Sequence, residues 1–493
     1  MRLNAIQYII LIVLVRLLWH LFQPIGMAGD ETYYWLWGHY PDWGYYSKPP
    51  MIGWLYAFLS PLAGNTTFIY KAFTTLLGGG TLFFFYKTLK LLTGDPKLAY
   101  KALVAFSLLP AQLLISSFLT VDSPLLFAWT GASYFFARLI CNETTSKSDY
   151  FCLFAFLAIG HLSKQMMLVQ LPLIFLISSI YKPTLLKKPA LWISSIGSLS
   201  ALLPAIIWNA ENQWITFEHT AHHFEEAPFG LIPFISRLGE LYGSLFLLFS
   251  PIFFILIFKS VPSLKAIKAD RALGFYALWG LIGFTIISLM TSRQSINANW
   301  PACFLPSLIA LIFIHAKNRS PNYTRWLTLG TWLSGGLSLV IMVFLLMLNT
   351  LTGPLAEMGI TKPQRRAWIG YPELVDKIKN AVPEAEQIIG DGHRFVLSQI
   401  AYLGHYEKNA YQWNQSGKIM NQFDFFGTPS LEKKTAIITE RSNAEDLGTV
   451  PEKLEALCES IRFVDEFQMH PSREFPRYKI YFVEKLNHYK VNP

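Results

Sequence analysis

The stretch GDETYYWLWGHYPDWGYYSKPP, residues 29–50, follows directly on the first apolar run of the chain and sets Asp30, Glu31, Asp42 and Lys48 among eight tyrosines and tryptophans. Aromatic rings with a polar edge gather where a chain leaves a bilayer. Ionisable groups at that depth are costly unless they pair or line a cavity. The surrounding composition supports a bilayer: of 493 residues 52% are hydrophobic, 15% aromatic and only 15% charged, which describes a polytopic membrane protein and not three soluble domains.

The net charge of +9 is unevenly placed. Residues 1–349 hold 23 Lys and Arg against 13 Asp and Glu, and residues 350–493 hold 18 against 19. The basic excess belongs to the membrane part, where loop charge is its ordinary cause, so nucleic acid is set aside as a partner. Cys141, Cys152, Cys303 and Cys458 show no paired spacing, and the polar C-terminal region, with Cys458 alone, can close no disulfide of its own.

Arg2, the apolar run Ile6–Val15 and the small residues Gly26 and Ala28 also fit a cleavable signal peptide. A retained helix is the better reading, because apolar residues continue to Phe22 and Arg16 could snorkel. Further segments of spanning length run over 66–86, 98–118, 123–140, 149–162, 166–181, 190–208, 231–258, 271–290, 300–316 and 325–348, which with 5–23 predicts about eleven helices. Alternate loops hold 17 and 5 Lys and Arg, Lys71 being counted in the second set. The positive-inside rule therefore puts the N-terminus in the cytoplasm and the C-terminal region outside. That divides the chain into a transmembrane domain, 1–349, with its first outer loop at 24–65, and a periplasmic α/β domain, 350–493. In the latter EQIIGD, TAIITE and IRFVDEF are apolar runs and PELVDKIKNAV has helical spacing.

On this topology the unusual charges share the outer side. Asp30, Glu31 and Lys48 lie in the first outer loop, Asp122 in LTVDSPLLF, Lys164 in HLSKQ, and His219 and His222 in NAENQWITFEHTAHHFEE; Arg293 lies in TSRQSINANWP. Plainer readings stand beside the functional one. Asp30 and Glu31 would favour a helix N-terminus by about 0.3–1 kcal/mol. Asp122 before Ser123 and Pro124 fits a helix start. Lys164 and Arg293 could meet lipid headgroups, and the loop aromatics fit an interfacial belt. His219 and His223 share a helix face beside Glu225 and Glu226, so a divalent metal is conceivable there, but no third ligand at diagnostic spacing indicates one and no metal is assigned. The Gly78–Gly80 triplet lies inside an apolar helix and reads as close packing, not as a phosphate loop.

Acids and cations on one outer face suit transfer of a sugar from a lipid phosphate at the bilayer surface. A carboxylate deprotonates the acceptor hydroxyl, and cations stabilise the departing phosphate. Asp30 or Glu31 would serve first, and Lys48, Lys164 and Arg293 second. Here the residues also carry a resemblance. GDETYYWLWGHYPDWGYYSKPPMIGWL resembles the first outer loop of the GT-C membrane glycosyltransferases, the superfamily of the protein O-mannosyltransferases and of the aminoarabinose transferase that modifies lipid A. LTVDSPLLFAW, GHLSKQMMLV, WNAENQWITFEHTAHHF and NANWPACFLPSL resemble later motifs in the same order, and IGYPELVDKIKNAVPEA through QFDFFG resembles the outer domain of bacterial members.

The resemblance implies Asp30 as the essential loop aspartate, Lys48 and Lys164 as donor-phosphate contacts, Asp122 as a second acidic position, and an inverting transfer. Ser47 stands where the aminoarabinose-transferase pattern has an acid. The expected activity is transfer from a polyprenyl phosphate, undecaprenyl in a bacterium, to lipid A or another lipopolysaccharide or envelope glycan, or to protein Ser/Thr, at the outer face of the inner membrane. The competing expectation is a transporter or flippase of lipid-linked sugars. Such proteins often show repeat symmetry and helices interrupted at mid-bilayer, neither of which the sequence displays.

Overall fold

The computed structural model describes residues 3–487 except 65, 226–229, 318–320, 359–368, 415–417, 442–457 and 469–476. It is mostly helical, with a small sheet near the C-terminus. The chain opens with α1 (Ala5–Phe22), α2 (Gly29–His39), α3 (Met51–Ala63), α4 (Phe68–Thr93), α5 (Pro96–Ser107), α6 (Pro110–Ile115), α7 (Asp122–Cys141) and α8 (Lys147–Ser163).

Among the described residues seven helices are long and apolar enough to cross a bilayer: α1, α4, α7, Pro189–Glu211, Leu231–Leu248, Arg271–Met290 and Asn322–Leu346. The difference from eleven expected spans has local causes. Segment 98–118 breaks between α5 and α6, where Pro110 opens a new helix. Segment 300–316 opens as a 3₁₀ turn, Trp300–Phe304, and leaves a 12-residue helix, Leu305–Ala316. Segment 166–181 begins as a five-residue 3₁₀ turn, Gln165–Val169, and α8 has only 17 residues.

The chain divides into two units, one comprising Met1–Phe22, Ser47–Ile52 and Phe68–Val343, the other Gln23–Tyr46, Gly53–Thr67 and Phe344–Pro493. In the first unit α4 packs against α1 and α7, and α7 against α8. The glycine triplet makes this possible. A Cβ on Gly78 would lie 2.4 Å from the Ser116 Cβ, on Gly79 2.8 Å from a Val13 methyl, and on Gly80 2.5 Å from the Phe127 ring. Two residues expected elsewhere are also buried in this unit. Arg16 does not snorkel: it is 5% exposed and donates to Gln112 Oε1, Ser116 Oγ and the Ser107 carbonyl at 2.6–2.7 Å. Lys71 is not a loop residue but lies in α4, buried, with its ammonium 4.3 Å from the Phe118 ring centre.

The second unit contains a five-stranded sheet of order β2-β1-β3-β5-β4, built from β1 (Gln387–Gly390), β2 (Ala410–Gln412), β3 (Thr435–Arg441), β4 (Ile461–Gln468) and β5 (Arg477–Val483). β1 pairs parallel with β2 and β3, while β5 runs antiparallel to β3 and β4. The parallel β1–β2 connection needs a crossover, supplied by the helix Arg394–Gly404. β1, flanked on both sides, is buried along its whole length. PELVDKIKNAV forms the amphipathic helix Tyr371–Ala381, which buries Leu374, Val375 and Ile378.

The aromatics of the opening stretch belong to this unit's core more than to a membrane belt, which corrects the expectation. Tyr33, Tyr34, Trp35, Trp37 and Tyr45 are all buried, and of the eight Trp43 is the exposed one. Tyr45 stacks on Trp37 at 4.4 Å and 17° and donates its hydroxyl to the Trp37 carbonyl. Gly53 leaves room for that ring, since a Cβ there would sit 2.3 Å from the Tyr45 oxygen. Gly53→Ala is therefore expected to lower the unfolding midpoint of the purified protein through overpacking worth about 1–3 kcal/mol. An unchanged thermal-shift curve would show that the ring can move aside.

Candidate active site

Asp30 and Glu31 occupy the first turn of α2, in the second unit. The two acids differ in setting. Glu31 is fully buried, and its carboxylate turns back to accept the Ala28 amide at 2.9 Å, satisfying a donor that the helix start leaves open. Both acids stand in the first turn, as the helix-start reading expects, and Glu31 in addition caps the helix. Asp30 is half-buried.

α2 is held by side chains from the C-terminal part of its own unit. The Thr32 and Ser398 hydroxyls lie 3.2 Å apart, and Gln399 Nε2 donates to the Met27 carbonyl at 2.7 Å. Trp35 meets Tyr402 edge-on. Tyr40 stacks on Phe426 at 4.3 Å, and the Arg394 guanidinium lies over the Tyr33 ring at 5.3 Å. The Gln422 amide donates to the Tyr33 hydroxyl at 2.7 Å, and burial pushes the pKa of that phenol up. Sequence reasoning missed Ser398, Gln399 and Gln422; the sole signal was QFDFFG, whose polar first residue and aromatic run fit no strand or helix period.

His39, at the end of α2, is held at Nδ1 by the Trp35 carbonyl, 3.1 Å away, which makes that nitrogen the protonated one. Burial lowers its pKa from the ordinary value. The unfolded chain therefore binds the proton more readily. The stability His39 contributes is present above about pH 6.5 and declines as pH falls below it. Unfolding midpoints measured from pH 7.5 to 5.5 should fall more steeply for the native protein than for His39→Phe; parallel curves would contradict this.

Lys48, Asp122, Lys164, His219 and Arg293 belong to the first unit. The structure brings two of them together. Asp122 opens α7 and Lys164 follows the end of α8, and the ammonium donates to Asp122 Oδ1 at 2.7 Å with both side chains nearly buried. The other carboxylate oxygen, Oδ2, accepts from Asn299 Nδ2 at 2.6 Å. Asp122 therefore does not cap its own helix; it ties together the start of α7, the end of α8 and the NANWP loop. Asn299 was missed because an amide in a loop has no diagnostic spacing.

Arg293 is exposed, and the carbonyl before it, of Ser292, accepts from Arg237 at 3.4 Å. Lys48 is half-buried ahead of α3. His219 lies on the helix Ile215–Glu225, and the side chains of His222 and His223 fall outside the described residues. Among the described residues no three His, Cys, Asp or Glu gather as a metal site.

Residues 47–208 match the family model described as dolichyl-phosphate-mannose-protein mannosyltransferase. The chain is 26% identical over 303 residues to the lipid A galacturonosyltransferase RgtD of Rhizobium johnstonii, a match covering 59% of this chain and 62% of that relative's length. Its fold is similar to that of ArnT from Cupriavidus metallidurans, with a TM-score of 0.64 at 14% identity over 96% of this chain and 97% of the other in the apo state. For ArnT bound to undecaprenyl phosphate the TM-score is 0.61 at 12% identity, over 99% of each chain.

Proposed function

Because the chain carries the fold of the GT-C membrane glycosyltransferases, we propose that it moves a sugar from a polyprenyl phosphate, undecaprenyl phosphate in a bacterium, to an acceptor at the outer face of the inner membrane. The acceptor is lipid A or another lipopolysaccharide or envelope glycan, with protein Ser/Thr as the next choice. The observation that carries this reading is the likeness along 99% of the chain to a fold that in ArnT holds undecaprenyl phosphate. The match to a lipid A galacturonosyltransferase supports the choice of acceptor. The N-terminus is assigned to the cytoplasm and residues 350–493 to the periplasm, on the loop charges.

In the transfer, the acceptor hydroxyl oxygen attacks the anomeric carbon from the face opposite the phosphate. Its proton passes to Asp30, the bond from anomeric carbon to phosphate oxygen breaks, and the lipid phosphate leaves with the electron pair. The new glycosidic bond has inverted configuration. Asp30 takes the role of base over Glu31, because the Glu31 carboxylate is buried and committed to the Ala28 amide. Lys48, Lys164 and Arg293 are the candidate cations for the leaving phosphate. The Lys164 ammonium donates one of its three N–H groups to Asp122, and the pair holds that ammonium at the end of α8. His219 and His222 are assigned to substrate binding on sequence grounds.

The test is incubation of purified protein in detergent with a labelled polyprenyl-phosphate sugar and lipid A. A new glycoside is expected. Movement of labelled lipid between leaflets of a proteoliposome without any glycoside would favour the flippase instead.

A further inference from the structure

We propose that Gln422 is a positioning residue for the loop that carries Asp30, so that the C-terminal domain governs turnover. The inference rests on the glycosyl-transfer reading above. Gln422 opens a 3₁₀ turn, Gln422–Phe425, and is 3% exposed. It grips the loop at two points 13 residues apart in sequence: its backbone amide donates to the Tyr33 hydroxyl at 2.7 Å, and its side-chain oxygen accepts the Tyr46 amide at 2.6 Å. An N–H donor facing the side chain fixes which end of the amide is oxygen. Tyr33 lies one helical turn after Asp30, and Tyr46 lies two residues before Lys48. One residue therefore restrains the chain beside both an assigned acid and an assigned cation.

The turn is itself braced. Asn421 caps it by accepting the Phe423 amide, and Asp424 Oδ2 accepts the Met420 and Asn421 amides at 2.8 and 3.1 Å. Asn414 donates to Asp424 Oδ1 at 2.9 Å. Asn421 Nδ2 also donates to Gln412 Oε1 at 2.7 Å, and Gln412, the last residue of β2, donates in turn to the Gly392 carbonyl beyond β1. Hydrogen bonds from the sheet to Asn421, the peptide link from Asn421 to Gln422 and the two bonds of Gln422 thus connect the sheet to the loop. Tyr33 against Phe423 and Tyr40 against Phe426 close the aromatic side of the same grip. A buried polar network whose members are satisfied rigidifies what it holds, which offsets the desolvation of the side chain at position 422.

The experiment compares Gln422→Ala with Gln422→Glu in the full-length purified protein. The alanine removes the acceptor for Tyr46; the glutamate keeps an oxygen there. Amide hydrogen exchange is followed at residues 44–48, and transfer kinetics are measured with labelled polyprenyl-phosphate sugar and lipid A. Gln422→Ala should speed exchange at Tyr46 and lower kcat by about 10- to 100-fold, the scale of a misplacement near 1 Å, with KM for the donor within about twofold and the unfolding midpoint little moved. Gln422→Glu should restore both protection and most of kcat. Unchanged exchange at Tyr46, unchanged kcat in the alanine variant, or a glutamate variant as slow as the alanine one each overturns the proposal. Absence of transfer by the native protein overturns the glycosyltransferase reading, and the exchange arm then still decides whether the clamp exists.

Discussion

Asp30→Asn is expected to reduce sugar transfer by about 10²- to 10⁴-fold, the range that loss of a positioned general base produces, while the protein still inserts, folds and elutes as the native chain does. The substitution keeps shape and removes basicity. Its structural effect is confined to the helix start, where a negative charge in the first turn contributes about 0.3–1 kcal/mol, and Glu31 continues to satisfy the Ala28 amide. Folding and chemistry should therefore separate cleanly at this position. Glu31→Gln provides the contrast: it strikes a fully buried carboxylate, so its first effect should be on the unfolding midpoint. Rates with the labelled donor, beside thermal shifts for both variants, distinguish the two acids. Retained turnover in Asp30→Asn removes the assignment of Asp30 as base, and a cold-labile, aggregating Asp30→Asn would place it with Glu31 as a capping residue.

The sequence and the structure agree where a residue's role follows from period or from bulk chemistry. Apolar segments of spanning length and the packing role of Gly78–Gly80 are of that kind, and they are visible in the seven long apolar helices among the described residues and in the close approaches of α4. Roles set by long-range partners were not legible. A cluster of tyrosine and tryptophan has the same composition in a membrane belt as in a core, and only tertiary packing shows that Trp37 and Tyr45 are fully buried. Arg16 looked able to reach the interface because its three acceptors, Ser107, Gln112 and Ser116, lie about a hundred residues away. For the candidate site, Asp122 and Lys164 were both singled out as charges in outer loops, but that they form one pair, with Asn299 completing the carboxylate, depends on how α7 and α8 dock. Gln422 is the extreme case: nearly four hundred residues separate it from Tyr33.

The pair at Asp122 admits a test with an equally large expected effect. Asp122→Ala leaves the Lys164 ammonium with one partner fewer in a nearly dry setting, and breaking a buried pair from one side typically destabilises by about 3–5 kcal/mol. Lys164→Met should destabilise comparably, because among its described partners Asp122 then keeps the Asn299 amide and loses the cation. Combining Asp122→Asn with Lys164→Met removes both charges at nearly constant volume and should recover much of that stability, since the desolvation of two ions disappears with their attraction. Transfer activity decides what the pair is for. If Lys164 meets the donor phosphate, the double variant refolds the latch without restoring the cation, and turnover stays low while the unfolding midpoint returns. If the pair only fastens α7 to α8, activity returns with stability, and the phosphate role passes to Lys48 and Arg293. Midpoints and initial rates on the two single variants and the double variant, taken at one salt concentration, suffice to tell these apart.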